Sequence, residues 1–374
     1  MSQSSYIKPM TPNGADIYCR VIDNYGDIGV CWRLARQLRH QLPQVRLWVD
    51  DLHSFTHINP EIQPHLHLQR SQGIEVLNWR QDCVFPPPLE LLIEAFACEL
   101  PESVKQHVGA HTLWLNLEYL SAEKWVPSFH LGASPQAGGQ TKYFFFPGFT
   151  PETGGLLREK DLVSERDALQ ANSETRRDFL RYLGVDEELV AQLAQRKVIF
   201  LFCYPNAPVQ ELLQVLQEHN TLLLVPASVA RHFTFTPTPK LALHILPPIS
   251  QTDFDCVLWC SDLNIVRGED SLVRAIWAAK PMIWQPYYQD DNWHLEKLAA
   301  WLQHTSYNPS VQQAHYAWSQ AAGHDLRPAL EQLFQPHNWS EWQAQAASFS
   351  EKLINGPELS NAILSFYAQV ARTR

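Results

Sequence analysis

Between residues 17 and 42 the chain changes its hydrophobic period at a polar, glycine-bearing turn, and this change narrows the choice of fold more than any other feature. Ile17, Tyr18, Cys19, Val21 and Ile22 suit a buried strand, whereas Val30, Leu34, Leu38 and Leu42 recur at the i, i+4 spacing of one helix face. Asp23-Asn24-Tyr25-Gly26-Asp27-Ile28-Gly29 lies between them as a strand-to-helix crossing. In open α/β sheets ligands collect beyond the carboxyl ends of strands, where a starting helix offers free N–H groups. Two carboxylates in such a loop call for a reason. Asp27 can cap the helix, a role worth about 1 kcal/mol. It can also orient, or take a proton from, a cationic or hydroxyl-bearing substrate. A dinucleotide is disfavoured, because Gly26 and Gly29 do not complete G-x-G-x-x-G and a negative loop repels a pyrophosphate.

The same alternation continues. Apolar segments at 45–49, 74–77, 89–96 and 112–120 are separated by polar or helical stretches, the pattern of a parallel sheet with crossover helices. Residues 153–181 turn polar and end in a helical pattern (Leu169, Arg176, Phe179, Leu180, Leu183) stopped by Gly184. A second series follows, with strands expected at 198–203, 222–225, 241–246, 264–266 and 282–284, a helix at 209–216 and a terminal helix at 359–370. At 374 residues the chain suits two cores. The expectation is two Rossmann-like α/β domains, residues 1–183 joined by a C-terminal helix at about 357–374, and residues 184–356, with a cleft between them.

Composition excludes several classes. Apolar residues at 45% and charged residues at 18% describe an ordinary globular protein, and a formal charge of −10 argues against a general binder of nucleic acid or anionic membrane. A basic partner suits it better. The seven cysteines are odd in number and lack C-x-x-C spacing, which points to reduced thiols and away from a disulfide framework or zinc site. His53, His57, His65 and His67 lack acidic partners at ligand spacing and are expected at the surface. Residues 1–15 hold no apolar stretch of signal-peptide length, and no run of about 18 apolar residues occurs, so a cytoplasmic location is expected.

Three further stretches carry chemistry. Arg267-Gly268-Glu269-Asp270-Ser271 is another strand-to-helix turn. Its cation, glycine and hydroxyl suit a diphosphate, while Glu269 and Asp270 equally suit helix capping, so both readings stand. Residues 285–294 concentrate the hydrogen-bonding side chains that a polyhydroxyl ligand needs. Asn116-Leu117-Glu118-Tyr119 ends an apolar segment with polar groups, and Glu118 is a candidate wall of the cleft or a solvated carboxylate. The aromatic run at 143–149 reads as a buried strand or, if exposed, a platform. Asp253-Phe254-Asp255 spells D-x-D, but it falls in the first turn of a helix expected from Gln251, where aspartates belong anyway.

The string from Asp23 through Val30-Cys31-Trp32-Arg33 to Leu38, joined to Arg267 through Ser271, resembles the EarP family, protein-arginine rhamnosyltransferases that modify bacterial elongation factor P. The likeness covers nearly the whole chain. It implies an α/β GT-B fold of two facing Rossmann-like domains, the first binding the acceptor and the second the nucleotide sugar. It also implies an inverting transfer of rhamnose from dTDP-β-L-rhamnose to one arginine guanidinium of elongation factor P, which activates the factor. No metal or other cofactor is implied, and the partners are the donor and the elongation factor, with neither nucleic acid nor membrane. By resemblance Asp27 matches the catalytic carboxylate, Asp23 its neighbour, and Glu269 a second active-site carboxylate. Tyr204, Gln251, Arg267, Asp270 and Ser271 match positions holding the nucleotide diphosphate. Phe254, three residues after Gln251, is expected from its place to wall the thymine pocket, and Asn24, Tyr25 and Gly26 are grouped with the donor site. Gln289, Asp290 and Asn292 resemble a sugar-contacting turn of GT-B enzymes, and Glu118 is a candidate acceptor contact. Two other classes share the donor site: a GT-B-like sugar-nucleotide epimerase or hydrolase, which would release free sugar, and a non-catalytic nucleotide-sugar-binding protein, which would bind without turnover.

Overall fold

The alternation of strands and helices folds, in the computed structural model, into two parallel sheets, each at the centre of its own unit. The structure describes residues 11–22, 26–80 and 83–373, apart from the side chain of Asp290. One unit comprises Met1–Glu159 with Gly356–Arg374, the other Lys160–Asn355.

The first unit carries β1 (Gly14–Cys19), β2 (Gln44–Val49), β3 (Leu68–Ser71), β4 (Ile74–Asn78), β5 (Leu91–Ala95), β6 (Leu113–Leu117), β7 (Ala133–Pro135) and β8 (Thr141–Phe145). Their order is β3-β4-β2-β1-β5-β6-β8-β7, parallel except for β3 and β7, which run antiparallel to β4 and β8. From β1 the chain winds outward through β2 to β4, then returns to the other side of β1 as β5. The topological switch point therefore lies between β1 and β5, paired from Ala15↔Leu91 to Tyr18↔Glu94, and the carboxyl ends of these strands are where such a sheet places its ligands. Helix Gly26–Arg39 buries Ile28, Cys31, Leu34, Ala35 and Leu38 in the core, which the terminal helix Leu359–Thr373 completes with Ile363 and Phe366. At the opposite end of the sheet, fully buried Asp16 is satisfied by the Arg46 fork (Nε and Nη2, both 2.6 Å), Trp48 Nε1 (2.9 Å) and Leu89 N (2.7 Å), tying β1 to its neighbours.

The second unit carries β9 (Lys197–Leu201), β10 (Thr221–Pro226), β11 (Leu241–Leu246), β12 (Leu263–Arg267) and β13 (Met282–Gln285) in the all-parallel order β11-β10-β9-β12-β13. Its switch point lies between β9 and β12.

Two expectations need correction. β1 ends at Cys19, leaving Ile22 70% exposed, so the first turn begins earlier than the apolar run suggests. The boundary expected after residue 183 lies at 159/160. Helices Leu162–Ala171 and Ser173–Tyr182 belong to the second unit because their polar side chains bind its backbone. Arg166 Nη1 donates to Trp277 O at 2.8 Å, Gln170 Nε2 to Ala278 O at 2.9 Å, and Arg176 Nε to Cys260 O at 2.8 Å. Gly184, at φ +85°, ends a helix there, not a domain.

Candidate active site

In the first unit the switch point holds a buried carboxylate. Asp27 is the second residue of helix Gly26–Arg39, not its cap, and is 3% exposed. Its Oδ2 accepts from Ile22 N at 2.9 Å and its Oδ1 from the Tyr119 hydroxyl at 3.2 Å. Below it, a hydrogen bond to Cys31, together with burial, pushes the Cys19 thiol well above the usual range, so both buried cysteines belong to the core. Tyr119 follows β6 and stacks on Phe96, which follows β5, with ring centroids 4.4 Å apart and planes 15° from parallel. Asn116 fixes this corner. Its Oδ1 accepts from Ala97 N at 3.0 Å and its Nδ2 donates to Glu118, whose carboxyl burial pushes upward from the usual range. Glu118 is thus held inside the corner, beside the stack. The neighbouring cation, Lys142, is engaged by buried Glu94 at 3.2 Å.

In the second unit the switch point holds a cation among aromatic rings. Arg267 closes β12 and precedes helix Gly268–Trp277; its guanidinium carbon lies 4.7 Å from the Phe202 ring centroid and 4.6 Å from that of Tyr204. Phe202 and Tyr204 both follow β9 and Arg267 ends β12, so the rings come from one of the strands that flank the switch point and the cation from the other. Gly268 is required here: its φ is +71°, and a Cβ would sit 3.4 Å from the Tyr204 hydroxyl oxygen. Gln285, at the end of β13, accepts from Tyr204 N at 2.9 Å and donates to Asn206 Oδ1 at 3.3 Å, which secures the loop after β9. Ser271 lies 9% exposed in the first turn of the helix, whose leading N–H groups lack intrahelical partners.

The remaining assigned residues divide. Asp270 Oδ2 accepts from Arg274 Nε at 2.8 Å, and Arg274 Nη1 lies 2.8 Å from both oxygens of Asp255, so the Asp270 carboxylate shares a buried cation with Asp255. Phe254 meets Phe200 and Phe202 edge-on, at 5.4 and 5.6 Å, and so joins the wall on which Arg267 rests. Gln251 opens the neighbouring helix and its Oε1 is buried without a hydrogen-bond partner, an acceptor available to a ligand. Glu269 lies 3.8 Å from Lys297 Nζ. Gln289 and Asn292 lie on an exposed turn in which Asp291 and Asn292 are both left-handed, at φ 55° and 62°. Asp23, Asn24 and Tyr25 lie outside the described residues, as does the Asp290 side chain; Gly26 is the first residue of the helix.

Structural roles account for the other motifs. Asp253 forms a reciprocal cap with Ser250 (Asp253 N to Ser250 Oγ, 3.1 Å; Ser250 Oγ to Asp253 Oδ2, 2.9 Å), and Asp255 pairs with Arg274, so the D-x-D string is explained within the fold. The aromatic run is buried at Phe145, Phe146 and Phe149, while aromatic exposure near this corner resides in Tyr119, Trp125 and Phe129. All four loop histidines are exposed. Phe96 and Phe202 do not stand out in the sequence as site residues, and Tyr119 and Gln285 fall within the polar stretches 116–119 and 285–294 without a role of their own being read there. The signal for Tyr119 is its place beside Glu118 at a strand end.

Residues 15–368 match the protein family described as Elongation-Factor P (EF-P) rhamnosyltransferase EarP. The protein-arginine rhamnosyltransferase of Pseudomonas aeruginosa is 40% identical over 378 residues, which cover 94% of this chain and 98% of that protein. The enzyme of the same name from Shewanella oneidensis is 43% identical over 318 residues, covering 77% and 79%. A solved structure described as "Structural basis for EarP-mediated arginine glycosylation of translation elongation factor EF-P" matches with a TM-score of 0.63 at 30% identity, over 95% of this chain and 99% of the other.

Proposed function

The chain belongs to the EarP family of protein-arginine rhamnosyltransferases, and we propose that it moves rhamnose from dTDP-β-L-rhamnose, with inversion, to one arginine of elongation factor P. It is a glycosyltransferase of α/β GT-B fold that modifies arginine. The observation that carries the finer reading is the opposite charge of the two switch points: a buried carboxylate, Asp27, in one unit and the ring-cradled Arg267 at a helix start in the other. The first sign suits a guanidinium and the second a diphosphate.

The chemistry follows from these groups. A guanidinium has a pKa above about 12, so no carboxylate of ordinary basicity deprotonates it beforehand. Asp27 acts by holding the guanidinium and localising its charge. As the nitrogen lone pair forms the bond to C1 of the sugar, the C1–O bond breaks, its electron pair leaves with the nucleotide diphosphate, and the guanidinium proton passes to Asp27. Arg267, the helix N–H groups and the Ser271 hydroxyl take up the diphosphate charge without recourse to a metal. Gln251 Oε1 accepts from the N3–H of thymine, and Phe254 supplies apolar wall. Glu269, Gln289 and Asn292 accept or donate to sugar or ribose hydroxyls, and Glu118 borders the acceptor. Among the described residues no helix is long and apolar enough to cross a membrane; action in the cytoplasm, on a protein acceptor, is part of the proposal.

Incubating the chain with dTDP-β-L-rhamnose and elongation factor P tests this by intact mass. The factor gains one deoxyhexose if the proposal holds. Release of free rhamnose with the factor unmodified would instead support the hydrolase or epimerase class.

A further inference from the structure

We infer that Tyr119 is a positioning residue for the Asp27 carboxylate, a reading that rests on Asp27 being the group that receives the acceptor's proton. Asp27 is 3% exposed, so the surrounding protein, more than bulk water, sets the plane in which its oxygens lie. Backbone fixes one oxygen, through Ile22 N on Oδ2 at 2.9 Å, and a side chain reaches the other, through the Tyr119 hydroxyl on Oδ1 at 3.2 Å. A carboxylate oxygen has two lone pairs, so a hydroxyl bond on one of them fixes the direction of the other. Tyr119 can only help if it is itself held, and the strand ends hold it.

Its ring lies on Phe96 at 4.4 Å and 15°, a stack between the ends of β6 and β5. Phe96 sits at φ +55°, a left-handed conformation that a bulky side chain keeps only when its surroundings impose it. Those surroundings are visible: Phe96 N donates to Leu117 O at 2.7 Å, Ala97 N to Asn116 Oδ1 at 3.0 Å, and Glu118 N to Phe145 O at 2.9 Å. The hydroxyl therefore reaches the carboxylate from the strands across the switch point, 92 residues away in sequence. Such a donor, fixed before the acceptor arrives, spares the carboxylate a rotation during the chemical step. Unlike a second cation, a phenol leaves the negative charge in place for the guanidinium.

Tyr119→Phe keeps the stack and removes only the hydroxyl. Its kcat should fall about ten-fold, in keeping with loss of one hydrogen bond to a charged group. KM for dTDP-β-L-rhamnose and the thermal midpoint should stay at wild-type values. Tyr119→Leu should lose at least as much kcat and also lower the midpoint, because the stack goes too. A wild-type kcat in Tyr119→Phe overturns the inference, and so does a loss of kcat accompanied by a lower midpoint and weaker donor binding, which marks a structural role. Asp27→Asn, assayed alongside, separates the two levels. If it transfers rhamnose at the wild-type rate, the reading of Asp27 fails and takes this inference with it. If it is inactive while Tyr119→Phe is normal, only the role of Tyr119 is lost.

Discussion

Replacing Arg267 by alanine should weaken donor binding through the diphosphate and leave the rest of the donor site in place. The guanidinium rests within 5 Å of two ring centroids, 4.7 Å from Phe202 and 4.6 Å from Tyr204, so it is oriented before any ligand arrives. Little side-chain entropy then remains to be lost on binding, and most of a charge-assisted contact should appear in the affinity. Such contacts contribute about 1.5–3 kcal/mol; a value of ~2 kcal/mol corresponds to roughly 30-fold in Kd. Losing two partly exposed cation–π contacts costs the free protein about 1 kcal/mol, which a folded domain of this size tolerates. Arg267→Lys keeps the charge but not the planar stacking, and should fall between alanine and wild type. Titration calorimetry with dTDP and with dTDP-β-L-rhamnose, at one fixed ionic strength, reads both variants. Unchanged affinity for both ligands would refute the assignment, and a loss confined to the sugar-bearing ligand would place Arg267 against the sugar instead.

Asp27→Asn should abolish transfer while donor affinity stays within a few-fold, since the carboxylate belongs to the unit that lacks the ring-cradled arginine; equal loss of binding and turnover would mean a structural role for Asp27. A short peptide spanning the target arginine should be a far poorer substrate than the intact folded acceptor domain, even at saturating donor, because one guanidinium clamp cannot discriminate among the arginines of a cell. Equal kinetics on peptide and domain would place recognition in local sequence. Burial in the apolar cluster of Trp301 and Tyr307 lowers His315 to about 4, from 6.5 in an open chain. Between those values the unfolded chain binds a proton that the folded chain refuses, so His315 removes stability as pH falls from about 6.5 to about 4 and removes no more below that. Urea midpoints of wild type and His315→Gln across this window should show a shallower pH dependence in the variant, and identical dependences would contradict the assignment.

Much of this architecture is legible in the sequence because local period and sheet position coincide. The helix Val209–Leu216 and the strand Leu241–Leu246 fall where their apolar spacing puts them. β3 and β7 are not legible: Leu68-Gln69-Arg70-Ser71 and Ala133-Ser134-Pro135 have no apolar alternation and become strands only by pairing antiparallel with β4 and β8. The domain boundary is hidden because Arg166, Gln170 and Arg176 look like surface charge and amide in sequence, yet bind carbonyls of the second unit. At the candidate site, Asp27 and Arg267 are visible as charges at strand-to-helix crossings. The Tyr119 contact is not, since it depends on β6 lying two strands from β1, a long-range pairing that no local pattern reports. Asp270 shows the converse limit, a motif carboxylate whose nearest business is a buried arginine.

The proposed reaction is a single displacement in which the acceptor guanidinium attacks the sugar directly and Asp27 receives its proton. Two-dimensional NMR of the rhamnosylated arginine formed from dTDP-β-L-rhamnose reads this from the anomeric carbon. An α linkage, inverted from the donor, is the expected result. A β linkage would mean retention, by two successive displacements or by attack on the face that the diphosphate leaves, and would contradict a direct inverting transfer in which Asp27 receives the guanidinium proton.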